Sequence, residues 1–136
     1  MPRDLFDRKF LIDDDTGAQL SDWKALVKDG TFVHAFGNGV NSTVTMYTVP
    51  AGKKLYIFGM FVGAQNLAAL SNIPTVDLMI NDTPIMSANT GKLAGGHEYN
   101  TLGLGAPIKV NAGGTVKVDG NRADCFFRAA VVGYVI

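Results

Sequence analysis

Few side chains in this 136-residue chain are of the types that do chemistry. The histidines are His34 and His97, and the single cysteine is Cys125. A transition-metal site wants several imidazoles at short spacing with a carboxylate, and only His97-Glu98 offers a fragment of that. Asp13-Asp14-Asp15-Thr16-Gly17 begins like a calcium loop. The glycine and glutamate such a loop needs at its sixth and twelfth positions are Ala18 and Lys24 here, so it reads as a charged turn. No Gly-x-Ser-x-Gly surrounds any of Ser21, Ser42, Ser71 or Ser87. Cys125 opens an apolar run and reads as a buried structural thiol. Glycosidase carboxylates would have to come from Asp77, Asp82, Glu98, Asp119 and Asp124, and no spacing selects two of them. Gly37-Asn38-Gly39 and Gly91-Lys92-Leu93-Ala94-Gly95-Gly96 are glycine-rich but lack the phosphate-cradling lysine and helix, so both read as loops. The chain is expected not to be an enzyme and to need no cofactor and no metal.

Charge narrows the partners. Twelve basic and twelve acidic residues cancel, and Lys53-Lys54 with Arg122 are too few for a basic stripe, so no nucleic-acid partner is expected. No apolar run approaches the ~20 residues of a spanning helix, and the start has no secretory h-region. Synthesis in a reducing cytosol and no membrane association are expected, and Asn41-Ser42-Thr43 and Asn81-Asp82-Thr83 read as polar turns rather than glycosylation sites.

What remains is apolar surface, and the elements that carry it. Residues 1–30 hold 12 of the chain's 24 charges, which marks a boundary near Gly30 between an N-terminal arm and a domain over 31–136. The arm also holds Leu5, Phe6, Phe10, Leu11, Ile12, Leu20, Trp23, Leu26 and Val27, too many large apolar groups for a solvated tail. Ser21 to Asp29 reads as a short helix, capped by Ser21 and stopped by Gly30.

From Thr31 onward the chain reads as strand after strand. The expected strands are Thr31 to Phe36, Thr43 to Val49, Lys54 to Ala64, Thr75 to Ile80, Ile85 to Ala88, Thr101 to Leu104, Pro107 to Val110, Thr115 to Asp119 and Cys125 to Ile136. Turn chemistry separates them at Pro50-Ala51-Gly52-Lys53, Asn81-Asp82-Thr83-Pro84 and Asn111-Ala112-Gly113-Gly114. Eight or nine strands at this spacing predict an all-β antiparallel sandwich or barrel.

Two strands break the inside-outside alternation of such a fold. Leu55 to Val62 is apolar on both faces, and so is Phe126 to Ile136, where Arg128 alone is charged. Something must cover the second face: the arm, another copy of the chain or another protein. At ~25 cal/mol per Å2, a few hundred Å2 is worth several kcal/mol. The residues expected to form this interface are Leu5, Phe6, Phe10, Leu11, Ile12 and Trp23 in the arm, and Tyr56, Phe58, Phe126 and Tyr134 in the two strands.

Thr48-Val49-Pro50-Ala51-Gly52-Lys53-Lys54-Leu55-Tyr56-Ile57 resembles the first hairpin of viral jelly rolls. Pro107 to Val118, turning at Asn111-Ala112-Gly113-Gly114, resembles their penultimate hairpin, and Val131 to Ile136 resembles their closing strand. The type most similar is the small jelly-roll decoration or cement protein of tailed-phage capsids. This resemblance implies a jelly-roll-like β-sandwich of about eight strands and a virion structural role on the capsid exterior. It implies the major capsid protein and sister copies, as a homodimer or homotrimer, as partners, with the arm as a strap on either. The alternatives are a fibre or spike module that binds carbohydrate through loops around Asn89 to Tyr99, and a cupin-type enzyme.

Overall fold

The computed structural model describes residues 30–120 and 125–136. The expected arm, its helix and its anchors Leu5, Phe6, Phe10, Leu11, Ile12 and Trp23 lie outside the described residues, as do residues 121–124. Among the described residues there is no helix. The strands are β1 (Thr31–Val40), β2 (Thr43–Thr48), β3 (Leu55–Asn66), β4 (Thr75–Ile80), β5 (Thr83–Asn89), β6 (His97–Val110), β7 (Thr115–Asp119) and β8 (Cys125–Val135). They form two four-stranded sheets, ordered β1-β8-β3-β6 and β2-β7-β4-β5. Every pairing is antiparallel.

The topology is one long hairpin rolled up. Its tip is the β4–β5 turn, where Asn81 and Asp82 have φ of 51° and 61°, the doubly left-handed geometry of the tightest hairpin connection. Away from the tip, β3 pairs with β6, β2 with β7 and β1 with β8, and the doubled ribbon alternates between the sheets. The two other turns form where expected. Lys53 N–H donates to Pro50 O at 3.1 Å and Gly114 N–H to Asn111 O at 2.9 Å. Gly52 and Gly113 supply the positive φ of 71° and 80° that each requires.

Between the sheets lies the core. Alternate residues point inward: Val33 and Ala35 from β1, Leu55, Ile57, Met60 and Val62 from β3, Val76 and Leu78 from β4, Val116 and Val118 from β7, and Phe127, Ala129 and Val131 from β8. Cys125 joins them as a buried free thiol, as expected, and its removal from water pushes its pKa up.

Two expectations are corrected. Gly37-Asn38-Gly39 is not a loop but the second half of β1. A Cβ at Gly37 would meet Met46 Cγ at 2.8 Å, and one at Gly39 would meet Phe127 Cζ at 3.0 Å. Glycine at 37 lets the opposite sheet approach, and glycine at 39 leaves room for the ring of its cross-strand partner Phe127. Thr101 to Leu104 and Pro107 to Val110 are one strand, β6, which begins at His97. Between Ile57/Ile108 and Gly59/Gly103 the register jumps, leaving Leu104 to Pro107 opposite Phe58. Proline is tolerated because β6 is an edge strand and Pro107 sits in the bulge.

Candidate functional site

The two outer faces of the sandwich differ in kind. On the β2-β7-β4-β5 sheet the outward residues are mostly polar (Thr43, Thr45, Thr115, Lys117, Asp119, Thr75, Asp77, Ser87 and Asn89, with Met79 and Ile85 among them), and several bond to one another. Thr43 Oγ1 donates to Asp119 at 2.8 Å, Thr75 Oγ1 to Asn89 at 2.8 Å, and Ser87 Oγ to Asp77. Lys117 reaches Asp82 at 2.7 Å. This is an ordinary hydrated face.

On the β1-β8-β3-β6 sheet the outward residues run in cross-strand rows set by the register. Phe32, Tyr134, Tyr56 and Lys109 form one row, His34, Val132, Gly59 and Gly103 the next, and Phe36, Ala130, Phe61 and Thr101 the third. Asn38, Arg128, Gly63 and Tyr99 follow, and then Val40, Phe126, Gln65 and His97. Phe32 and Phe36 are more than half exposed, at 58% and 54%, and Tyr99 is 49% exposed. Among the described residues this face carries no carboxylate. Its cations are Arg128 and Lys109.

Aromatic geometry organises both ends. At one end Phe32 and Phe58 each meet Tyr134 edge-on, at ring distances of 5.6 and 6.3 Å. Tyr56 packs with Phe58, Tyr134 and Ile136 and is only 4% exposed. At the other end Phe61 and Tyr99 stack at 6.2 Å, with His97 5.5 Å from Tyr99. The Tyr99 ring lies where a Cβ on Gly63 would project, so glycine there lets the ring rest on the sheet. Arg128 sits 5.5 Å above the Phe126 ring, a cation–π contact that keeps the charge on an apolar bed. Between the two ends lies a shallow trough of ≈ 260 Å3, floored by Gly59 and Gly103 and walled by Phe61, Leu102, Ala130 and Val132.

The structure therefore gathers Tyr56, Phe58, Phe126 and Tyr134 on one face, three at one end and Phe126 at the other. Sequence reading did not single out Phe32, Phe36 or Phe61 and missed the trough, while Tyr99 entered it only at the end of the carbohydrate-binding loop of the alternative reading. A signal for β1 was present: Phe32, His34 and Phe36 alternate with Val33 and Ala35, so both faces of that strand are apolar too. Tyr99 lay within a stretch read as loop.

The sites of possible catalysis do not assemble on this face. His34 and His97 stand on opposite edge strands, three strand spacings (~14 Å) apart across the sheet and three rows (~20 Å) apart along it. No group of three metal-ligating side chains occurs among the described residues. Asp77 and Asp119 are register partners on β4 and β7, a juxtaposition that no sequence spacing revealed. Each takes a hydroxyl hydrogen bond on the open, hydrated sheet. Glu98, opposite the inward Ala64, accepts from Asn100 Nδ2 at 2.9 Å and Asn89 N–H at 2.7 Å. These bonds, that from Asn100 first, hold its pKa below the usual carboxylate value, and they tie β6 to β5 across the rim. No helix among the described residues is long and apolar enough to cross a membrane. Comparison with protein-family models and with curated proteins gives no match to the chain.

Proposed function

We propose that the chain is a virion structural protein of the capsid decoration or cement type. It binds the outside of the major capsid lattice as a homo-oligomer and bridges neighbouring capsomers. The observation that carries this reading is the contrast between the two outer faces: one hydrated and internally bonded, the other aromatic, free of carboxylates among the described residues and grooved at its centre. Four strands at ~4.8 Å spacing and ~3.3 Å per residue along β8 give a face of about 700 Å2. Each partner in a standard protein–protein interface contributes about 800 Å2. The trough accepts one large apolar side chain of the partner, the arrangement in which interface energy concentrates. The strand orders β1-β8-β3-β6 and β2-β7-β4-β5 support a jelly roll, in which two Greek keys wind one ribbon into two sheets.

The mechanism is additive and needs no catalysis. Each copy covers a modest apolar area across a seam, and many copies on one lattice multiply the effect. Co-sedimentation with empty shells, assembled from the major capsid protein of the genome that carries this gene, tests it. The wild type should pellet with shells. Phe36→Asp together with Ala130→Arg should abolish pelleting, and Thr45→Asp on the other sheet should not. A genome without a capsid protein, or pelleting indifferent to the face, overturns the proposal.

A second reading draws on the polar end of the same face. Tyr99, half exposed beside His97 and Gln65, has the make-up of a sugar-stacking platform. A specific glycan-array signal lost in Tyr99→Ala would favour a carbohydrate-binding module instead.

A further inference from the structure

We infer that two copies of the chain join edge to edge through β1, antiparallel about a two-fold axis at Phe36, so that their β1-β8-β3-β6 sheets become one sheet of eight strands. An edge strand offers a row of backbone N–H and C=O groups to any strand that reaches it, and folds guard such edges with proline, bulges, charge or shortness. Three of the four edges here are guarded. β6 carries Pro107 and Lys109 and bulges at Leu104 to Pro107. β5 carries Pro84 and skips Ile85 in its pairing with β4. β2 has six residues and shifts register between Thr45 and Tyr47. β1 has none of these devices. Its ten residues pair with β8 in unbroken register from Thr31 to Val40 and include no proline, lysine, arginine or carboxylate. Among the described residues it has a hydrogen-bonded neighbour on one side only.

The ladder identifies the groups at the open edge. Lys54 and Ile136 exchange both backbone bonds at 3.0 Å. The alternation of an antiparallel ladder then turns Val135 away from β3 and toward its β1 partner Thr31. Thr31, Val33, Ala35, Gly37 and Gly39 therefore bond to β8, and Phe32, His34, Phe36, Asn38 and Val40 aim their N–H and C=O groups outward.

The occupant is a second copy because the strand is its own complement. With Phe36 opposite its equivalent in the second copy, Phe32 faces Val40 and His34 faces Asn38 on the outer surface. Aromatic meets aromatic, apolar meets apolar and polar meets polar. On the inner surface Val33 faces Gly39 and Ala35 faces Gly37, so each side chain meets a glycine. All five edge-facing residues exchange both their bonds in this register. Moving the axis to Ala35 would set Phe32 against Asn38 and His34 against Phe36, and a one-residue slip would mix inner with outer positions. The contact is the same patch on both copies, as a two-fold requires. It is about 30 Å long and lies at the small end of specific interfaces, which sets association in the micromolar range. Pairing leaves the apolar outer face open and joins two of them side by side. It adds the mode of self-association to the docking proposal but stands on β1 alone.

Sedimentation equilibrium and native mass spectrometry of the full chain, from low micromolar to millimolar concentration, test it. Expected is a reversible shift from 14.5 kDa to twice that mass. Asn38→Pro removes an N–H that points at the edge and leaves the β8 ladder intact, so it should abolish the dimer with far-UV circular dichroism unchanged. Phe36→Lys and Phe36→Asp set like charges together at the axis. Each should be monomeric alone, and the two mixed should form a one-to-one heterodimer, which decides the matter even where Asn38→Pro unfolds. Phe61→Asp, on the same face but on β3, should dimerise like the wild type. A monomer at every concentration overturns the inference, and so does any oligomer other than a dimer. A dimer that survives in folded Asn38→Pro, or is lost in folded Phe61→Asp as a face-to-face pair would be, also overturns it, as do charge variants that stay apart when mixed. No shell enters this experiment, so its failure is distinct from failure of the docking proposal.

Discussion

Asn66 shows how much one side chain can organise. It is 1% exposed and fully employed. Its Nδ2 donates to Gly91 O at 2.9 Å and Leu93 O at 3.1 Å, and its Oδ1 accepts from Thr90 Oγ1. Its backbone bonds to Gly95 and Gly96. The glycine-rich 90–96 loop, which reads like a phosphate loop in sequence, is thus wrapped around a buried amide. Asn66→Ala strands those partners and should cost about 2–3 kcal/mol, read as a lowered urea midpoint at unchanged slope. Glu98 gives a pH signature. Its pKa is lowered in the folded chain, so its contribution is complete above the unfolded value of 4.5 and fades as pH falls through the folded value. The melting-temperature gap between wild type and Glu98→Gln should be small and constant at neutral pH, and should close in acid.

At the scale of elements, the local grammar carried far. The turns read at Pro50 to Lys53, Asn81 to Pro84 and Asn111 to Gly114 formed, because their residues are chosen for a specific φ. Asp82, with φ of 61°, allows a sharp test. Asp82→Val forces a β-branched residue into a left-handed geometry at ~1–2 kcal/mol. Asp82→Gly gives the favoured Asn-Gly pair and loses only the exposed ion pair to Lys117, worth ~0–1 kcal/mol. Thermal melts should rank Asp82→Val well below both Asp82→Gly and the wild type. What stayed illegible was long-range. Nothing local says that Gly37 and Gly39 are kept small by Met46 and Phe127, or that Leu104 to Pro107 bulge opposite Phe58. Those facts arise from the packing of distant strands, and so does the cross-strand meeting of Phe61 with Tyr99.

For the whole molecule, the all-β, two-sheet architecture was legible because apolar alternation and turn spacing fix it. The two-faced strands β3 and β8 pointed to surplus apolar surface, and the structure places that surplus on the outside of one sheet. The trough was not legible, since Gly59, Gly103 and Ala130 become neighbours only through register. The docking account makes its strongest claim about which side of the sandwich meets the shell. Hydroxyl-radical footprinting of shell-bound against free protein, read by mass spectrometry, measures that side chain by side chain. Bound protein should lose oxidation at Phe36, Phe61 and Tyr99, while Ile85, exposed on β5 of the other sheet, keeps it. Protection of Ile85 with Phe36 and Tyr99 still oxidised would place the contact on the hydrated face and contradict the account.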